Sequence, residues 1–538
     1  MKPIYKIVFV LAIVSFAACT KNFKELNTDP NSVGVNNYVP GYHLTRAQLE
    51  YTGNSDFSYE TWRVNIIYAG MMMQQLANAS WYAGDKYIQN DGWASAYFDV
   101  AYRDQVKYVS DLLKITEDKS QFSNLHQIAR IMRVMIFHRI TDIYGDVPYS
   151  EAGLGYYDRK FTPKYDKQQD IYMDMLKELD QAALALDPAK DKPADADLIY
   201  GLGGKFNPNN STASEITKWK KLSYSLMLRL AMRLTKVDAA TAKTWTEKAY
   251  TGGVITSNAD NAYIVHDATG GRNTVNRNSN ILGVEWNATD LNVTDPSKFK
   301  NEVFLAKTLV DYLKTNNDPR TPFISRVHAN STSTSNSTLI TDQVGLKNGY
   351  DQNGGATDVS KAPGYPGNIT GFSTIRGDVM LRADGPTFLV TAAQNELLLA
   401  EAAKRGWSVG SASTHYTNGV TAAMQQLTQY DASAVVPSGS ISAYLAAHPY
   451  ADSYDQINTQ YWLACYQNLD WYEAWANWRR SDFPILTPVN YAGNATNGQI
   501  PRRMLYPASE SSANGDNYQQ ALSRQGANSF TTKVWWDK

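Results

Sequence analysis

Apolar side chains recur at helical spacing along most of the chain. Over residues 123–144 they lie three or four positions apart, and Gly145 follows as a stop signal. A second stripe begins after Asp166 and Gln169, whose spacing predicts a capping box. The same pattern predicts helices over 219–234, 238–250, 304–313, 387–404, 415–430 and 456–478. Helices of roughly 10 to 20 residues in successive pairs are typical of a solenoid of helical hairpins, so we expect a mainly α fold.

Three stretches lack this periodicity: residues 194–215, 253–300 and 328–375. They are rich in glycine, asparagine, serine, threonine and aspartate. Loops of this length within a compact domain are usually functional or disordered. Aromatic residues punctuate them, whereas disordered segments tend to lack aromatics. We therefore expect ordered loops that are supported by the helical frame.

The first 18 residues are typical of a secretory signal peptide. Lys2 and Lys6 precede a short apolar run that ends in Phe-Ala-Ala-Cys, with the cysteine at position 19. This ending resembles a bacterial lipobox, which implies cleavage before Cys19 and acylation of that residue. An ordinary secreted protein is the alternative. The apolar run is far shorter than the roughly 20 residues that span a bilayer.

Charge and cysteine content exclude several classes of protein. The chain has 51 basic and 52 acidic residues, so its charge balance does not attract a polyanion and no nucleic-acid partner is expected. Cys19 and Cys465 are the two cysteines, so a lipidated Cys19 leaves no internal disulfide. Tyrosines (35) outnumber phenylalanines (16), and there are 13 tryptophans. Such amphipathic rings suit either half-wet surfaces or contacts between helices.

Motifs for catalysis or metal binding are weak. Ser408 lies in a Gly-x-Ser-x-Gly pattern, but this pattern follows a predicted helix, whereas a nucleophile elbow needs a strand. Residues 201–205 are not followed by the serine or threonine of a phosphate loop. The seven histidines form no i, i+4 pair and no Cys-x-x-Cys motif occurs, so we expect no metal site and no cofactor. Asp85, Asp91 and Asp99 are the candidates for a glycosidase, which needs two carboxyl groups about 5 to 9.5 Å apart.

An aromatic cluster near the first helices is the strongest candidate for binding. Trp81 and Tyr82 are followed closely by Trp93, and Asp85 and several amides lie between them. The C–H face of a sugar ring stacks on flat aromatic rings, while amides and carboxylates bind its hydroxyls. We therefore interpret Trp81, Tyr82, Asp85 and Trp93 as ligand-binding residues. A buried aromatic cluster between two helices is the alternative.

Several segments along the chain carry a family resemblance. They are residues 27–31, 144–149, 219–222, 228–234, 395–403, 473–480 and 500–507, together with Glu510 and Asn514. In this order behind a lipobox, they resemble the SusD/RagB family of nutrient-binding outer-membrane lipoproteins. The resemblance covers nearly all of residues 19–538, which we take as one SusD-like domain.

The resemblance implies a fold and a function. About four tetratricopeptide-like hairpins are expected to support the irregular loop region. The protein is expected to be a lipid-anchored, surface-exposed outer-membrane protein that binds an oligosaccharide without catalysis. It is expected to deliver this ligand to a SusC-type TonB-dependent transporter. The same fold with a peptide or another nutrient is an alternative, and a secreted glycosidase is the least favoured one.

The resemblance also bears on individual residues. Ligands of the family lie against the loop region near the first helices, which adds Tyr263 and Trp286 to the predicted ligand-binding residues. Glu473 and Arg479-Arg480 are interpreted as an ion pair that stabilises the fold rather than as part of a site.

Overall fold

The computed structural model describes residues 38–55, 58–80, 83–204, 207–285, 303–328 and 336–538. The predicted signal peptide, Cys19 and the predicted ligand-binding residues Trp81, Tyr82 and Trp286 lie outside these residues. Contacts divide the chain into two compact units, Met1–Pro40 and Gly41–Lys538, and the elements described below belong to the second unit.

Most of the regular structure is helical. The longer α-helices are α1 (Gly41–Tyr51), α2 (Lys107–Thr116), α3 (Ser123–Tyr144), α4 (Gln168–Ala185), α5 (Glu215–Arg233), α6 (Ala239–Gly252), α7 (Lys307–Thr315), α8 (Ala392–Lys404), α9 (Ala412–Gln426), α10 (Ser438–Ala447), α11 (Tyr454–Gln467), α12 (Trp471–Ser481) and α13 (Gly515–Gln525). A π-helix, Thr61–Gly70, follows α1, and the helical segments Asp91–Ala94, Ala96–Val100 and Ala101–Val106 lead into α2. Shorter α-helical turns are Gly155–Asp158, Arg277–Ser279, Thr321–Ile324, Gly377–Met380 and Glu510–Ala513.

Consecutive helices pack against each other in the described part of the chain, and four of these pairs share no helix. They are α2 with α3, α5 with α6, α8 with α9, and α11 with α12. Helix α4 lies between the first two pairs and contacts both α3 and α5, while α8 contacts α5 and α11 and so joins the later pairs. This arrangement confirms the predicted mainly α fold of about four hairpins.

Helix α3 has the bounds that the apolar pattern predicts. Ile128, Met132 and Ile140 from its stripe are fully buried. Burial of each such side chain contributes about 1.5–3 kcal/mol. Gly145 follows the helix with a φ of 85°, a conformation that costs glycine little because it has no Cβ. The helix thus owes its position to its buried stripe and its end to Gly145.

The strands are short and antiparallel. They are β1 (Leu76–Ala77), β2 (Val147–Pro148), β3 (Tyr165–Asp166), β4 (Ala262–Val265), β5 (Phe304–Leu305), β6 (Ser325–His328), β7 (Asn336–Ser337), β8 (Thr374–Ile375) and β9 (Pro386–Val390). Strand β1 pairs with β5, β2 with β3, and β4 with β9, and β6 lies between β7 and β8. In the β4–β9 pair, Ile264 lies opposite Thr387.

Two predicted helices begin later than expected because a strand precedes them. The segment predicted as a helix over 387–404 starts as β9, and Thr391 then begins α8 with a capping box to Gln394. The segment predicted over 304–313 starts as β5, and α7 begins at Lys307. Both strands pair with residues distant in sequence, which local periodicity does not detect.

Two further boundaries were predicted wrongly. Residues 456–478 form α11 and α12 rather than one helix, because Leu469 has a φ of 55° and the Asp470 carboxylate accepts a hydrogen bond from the Glu473 N–H. The predicted Asp166–Gln169 capping box is absent, since Asp166 belongs to β3 and α4 begins without a side-chain cap. The other predicted helices are present, with ends shifted by a few residues.

The predicted pairing of Glu473 with Arg479-Arg480 is also wrong. Glu473 instead binds Arg233 of α5, with 2.6 Å between Oε2 and Nη2. Burial would raise the pKa of Glu473, but the arginines of α5 outweigh it and lower the pKa to about 2. Arg480 binds Glu401 of α8, and Arg479 stacks on Trp475 at 3.8 Å. The stabilising ion pairs therefore link different hairpins rather than residues within α12.

None of the described helices has both the length and the apolar character that crossing a bilayer requires.

Candidate ligand-binding site

Three of the described aromatic rings surround the guanidinium of Arg63. Its carbon lies 3.7 Å from the ring centroid of Trp62, 4.7 Å from that of Trp93 and 5.0 Å from that of Tyr59. Tyr59 is 36% exposed, and Trp62 and Trp93 are half-buried. We call Tyr59, Trp62, Arg63 and Trp93 the aromatic platform. Cation–π contacts at these distances hold the rings in place while leaving them part of the surface.

Two helices position the platform. The π-helix Thr61–Gly70 carries Trp62 and Arg63, and all of its residues except Trp62 are buried. The short helix Asp91–Ala94 carries Trp93 and begins at Asn90, whose Oδ1 accepts a hydrogen bond of 3.1 Å from the Trp93 N–H. The Asn90 N–H in turn donates to the hydroxyl of Tyr68 on the π-helix at 3.0 Å. These bonds fix the ring of Trp93 relative to Arg63.

A tight turn packs against the π-helix that carries Trp62 and Arg63. Gly84 begins the 3-10 turn Gly84–Lys86, and a Cβ at this position would lie 1.8 Å from the carbonyl oxygen of Ile67. The turn therefore approaches the π-helix as closely as only glycine allows. In the sequence, Ala83 alone separates this turn from Trp81 and Tyr82.

Asp85 is buried beneath this surface rather than displayed on it. Its side chain is 1% exposed and forms an ion pair of 2.9 Å with Lys86. Its second oxygen accepts a hydrogen bond from the Gly349 N–H at 3.1 Å, and Lys86 also donates to the Asn78 carbonyl. In this arrangement Asp85 is not accessible to a ligand, and its contacts tie the turn to the loop at residue 349.

Tyr263 lies in a different part of the structure. It belongs to β4, is 2% exposed, and its hydroxyl donates to Asn207 Oδ1 at 2.8 Å. It lines a cleft of about 830 Å³ that shares no lining residue with the platform. Of the predicted ligand-binding residues, the structure thus places Trp93 on the platform, Asp85 buried within the neighbouring turn and Tyr263 in a separate cleft.

A carboxyl group adjoins the platform in the sequence and is buried. Glu60 is 1% exposed, and its Oε1 accepts a hydrogen bond of 2.6 Å from the Asn54 N–H. Burial raises the pKa of Glu60 to about 7. Among the described residues, no cluster of three or more histidine, cysteine, aspartate or glutamate side chains has a geometry that would hold a metal ion.

Tyr59, Trp62 and Arg63 are not among the residues that the sequence predicts for the site. An aromatic pair three residues apart, followed by an arginine, was the available signal. It precedes the apolar run Val64 to Ala69, so that the segment looks like the start of a buried helix. Only the tertiary contact with Trp93 distinguishes a surface platform from helix core.

Comparisons with a family model and with solved structures identify similar proteins. A family model named SusD-like, with the description starch-binding associating with outer membrane, matches residues 38–507. A solved chitin-binding protein is 33% identical, with a TM-score of 0.77 over 93% of this chain and 100% of its own. The solved structure named Bacteroidetes AC2a SusD-like is 27% identical, with the same TM-score and coverage. A chitin-binding SusD homolog from Flavobacterium johnsoniae is 22% identical and has a TM-score of 0.71 over 93% of this chain and 98% of its own, which shows the fold alone. No curated protein matches the chain.

Proposed function

Because this chain belongs to the SusD-like family of starch-binding proteins that associate with the outer membrane, we propose that it captures an oligosaccharide on the aromatic platform. The observation that carries the proposal is the set of rings fixed around Arg63, with Trp62 and Trp93 half-buried at the surface. Oligomers of N-acetylglucosamine are the first ligand to test, because a relative 33% identical to this chain is named a chitin-binding protein.

The platform suits a sugar for physical reasons. A pyranose presents C–H groups on its faces and hydroxyls around its edge, so it gains from a flat ring beneath it and from donors beside it. Arg63 is itself buried, and its planar guanidinium holds the Trp62 and Trp93 rings in place. The rings are held by cation–π contacts before any ligand arrives, which reduces the ordering cost of binding.

We propose capture without hydrolysis. The chain's relatives at 33% and 27% identity are named as a binding protein and a SusD-like protein. Of the acidic residues near the aromatic cluster, Asp85 is enclosed in an ion pair with Lys86. Incubation of the purified protein with chito-oligosaccharides should therefore release no shorter product.

Isothermal titration calorimetry with N-acetylglucosamine oligosaccharides tests the site. Trp93→Ala should weaken binding about tenfold or more, equal to roughly 1.4 kcal/mol, because a stacking ring is lost. Trp245→Ala is the matched control, since Trp245 is also half-buried but lies on α6. Equal affinities of the two variants would remove the platform from the site. A blank glycan array together with binding from a peptide pool would instead assign the protein a non-glycan nutrient.

The lipid anchor and the transporter partner complete the proposal. The lipobox-like sequence ending at Cys19 and the outer-membrane association of the family support acylation of that residue and a position at the cell surface. Mass spectrometry of the mature amino terminus should find a diacyl or triacyl cysteine, and Cys19→Ser should abolish membrane fractionation. Delivery to a SusC-type TonB-dependent transporter predicts that such a receptor co-purifies with the anchored protein from its native membrane.

A further inference from the structure

A large cleft lies apart from the aromatic platform. It encloses about 830 Å³ between β4, the segment before β9 and the end of α9. Ligand pockets for small molecules typically enclose roughly 300–1,000 Å³, so its size suits several sugar rings or a similar ligand. None of its lining residues belongs to the platform.

Tyr263 and Tyr430 lie at the floor of the cleft, and both of their rings contact the ring of Phe388. The Tyr263 ring lies 5.2 Å from that of Phe388, which lies 5.1 Å from the ring of Tyr430. The Tyr263 hydroxyl is bound to Asn207, and the Tyr430 hydroxyl donates to the Gln467 carbonyl at 2.6 Å. The floor therefore keeps its shape without a ligand.

A fixed group of charges stands at the mouth. Arg382 donates to both oxygens of Asp384, at 3.0 and 2.9 Å, and to Asp431 at 3.1 Å. The side chains of Arg382 and Asp384 are 43% and 47% exposed, and that of Asp431 is 25% exposed. The hydrogen bond from Arg382 lowers the pKa of Asp384, and those from Ser433 lower the pKa of Asp431. Two oriented carboxylates thus face solvent beside one guanidinium.

The remaining walls combine small apolar and neutral polar groups. Pro208 and Val265 present hydrocarbon surface, and exposed Gln425 and Thr428 add an amide and a hydroxyl. His266 is buried, and burial lowers its pKa to about 3, so that it is neutral. Its nitrogens lie 3.1 Å from the Thr274 carbonyl and 2.9 Å from the Thr387 hydroxyl.

We propose that this cleft is a second saccharide-binding site, which takes a neutral oligosaccharide independently of the platform. Apolar patches beside planar acceptors match the C–H faces and hydroxyl edges of sugar rings. The lining carries one guanidinium, Arg382, and the carboxylates of Asp267, Asp384 and Asp431, so its charge is net negative and the cleft disfavours an anionic ligand. The choice of ligand class rests on the proposed function, whereas the location rests on the geometry of the cleft.

Calorimetric titration with the trisaccharide of N-acetylglucosamine tests the second site. Ala432 lines the cleft and is exposed, so Ala432→Trp fills the cleft without disturbing the hydrogen bonds of its floor. Val435→Trp is the matched control, because Val435 is 53% exposed in the same segment but does not line the cleft. The proposal predicts two sites for the native protein and for Val435→Trp, and one site for Ala432→Trp.

The outcomes separate this proposal from the proposed function. A single site that is lost in Trp93→Ala and kept in Ala432→Trp would overturn the second site and leave capture on the platform intact. A single site lost in Ala432→Trp and kept in Trp93→Ala would support the cleft and overturn the platform. Absence of binding in the native protein would overturn both the platform and the cleft as binding sites for this ligand. Thermal melting of each variant establishes that the fold is retained.

Discussion

Replacing Arg480 with methionine tests how the hairpins are held together. Arg480 on α12 donates to both carboxylate oxygens of Glu401 on α8, at 2.7 and 2.6 Å. The side chains are 0% and 2% exposed. Methionine fills a similar volume but leaves the buried carboxylate without its main partner. Such an uncompensated charge is among the costliest defects in a protein interior.

The magnitude follows from the electrostatics of Glu401. Burial alone would raise the pKa of Glu401, but Arg480 and Arg405 outweigh it and lower the pKa from 4.5 to about 2. At about 1.4 kcal/mol per pKa unit, these contacts favour the ionised folded state by roughly 3 kcal/mol. Because the pKa is depressed, this stability is present above pH 4.5 and is lost as the pH falls toward 2. We expect Arg480→Met to lower the free energy of unfolding by about 3–5 kcal/mol at neutral pH.

Arg405 provides the matched control. It binds the same carboxylate at 2.7 Å, but its side chain is 27% exposed, so Arg405→Met should cost less than about 1 kcal/mol. Urea unfolding followed by far-ultraviolet circular dichroism measures both variants. The double variant Glu401→Leu with Arg480→Met should recover much of the loss, since no charge is then left buried. Equal losses for Arg480→Met and Arg405→Met would refute this reasoning.

Three further predictions concern single residues. Burial raises the pKa of Glu60 to about 7, so the folded state loses stability as the pH rises from 4.5 to 7. Urea unfolding at several pH values should show that Glu60→Gln removes this loss. Burial opposes the charge on His415, but its hydrogen bonds to Glu396 and to a backbone carbonyl outweigh burial and raise the pKa of His415. The stability that the charged imidazole contributes is lost as the pH rises above about 6.5, and melting scans should show a smaller loss in His415→Gln. Gly84→Ala places a methyl group against the Ile67 carbonyl, so it should lower the melting temperature and weaken glycan binding. A native melting temperature together with native glycan affinity would contradict the assigned turn geometry.

Local periodicity predicts the helical frame because most of its helices are buried along one stripe. Helix α3 is the clearest case, because its apolar stripe marks the extent of the helix and Gly145 marks its end. The apolar periodicity fails to identify strands that pair with residues distant in the sequence. In the sequence, strand β9 looks like the start of α8, and only its pairing with β4 identifies it as a strand. The break between α11 and α12 depends on Leu469, a residue other than glycine in the left-handed conformation. Such features depend on tertiary contacts, which a window of sequence does not contain.

The candidate site was predicted only in part for a similar reason. Trp93 is predicted from its aromatic neighbourhood, and the structure places its ring 4.7 Å from the guanidinium carbon of Arg63, while ligand binding by Trp93 stays a prediction. Asp85 has the same sequence neighbourhood, yet its carboxylate is buried against Lys86. Residue type and spacing do not distinguish an exposed aspartate from one that anchors a turn. Tyr263 was predicted by region, but it lines a separate cleft.

A crystal structure of the protein with a bound N-acetylglucosamine oligosaccharide tests glycan capture on the platform most directly. We predict a sugar ring stacked on Trp62 or Trp93. A saturating ligand that contacts none of the platform residues would contradict that prediction.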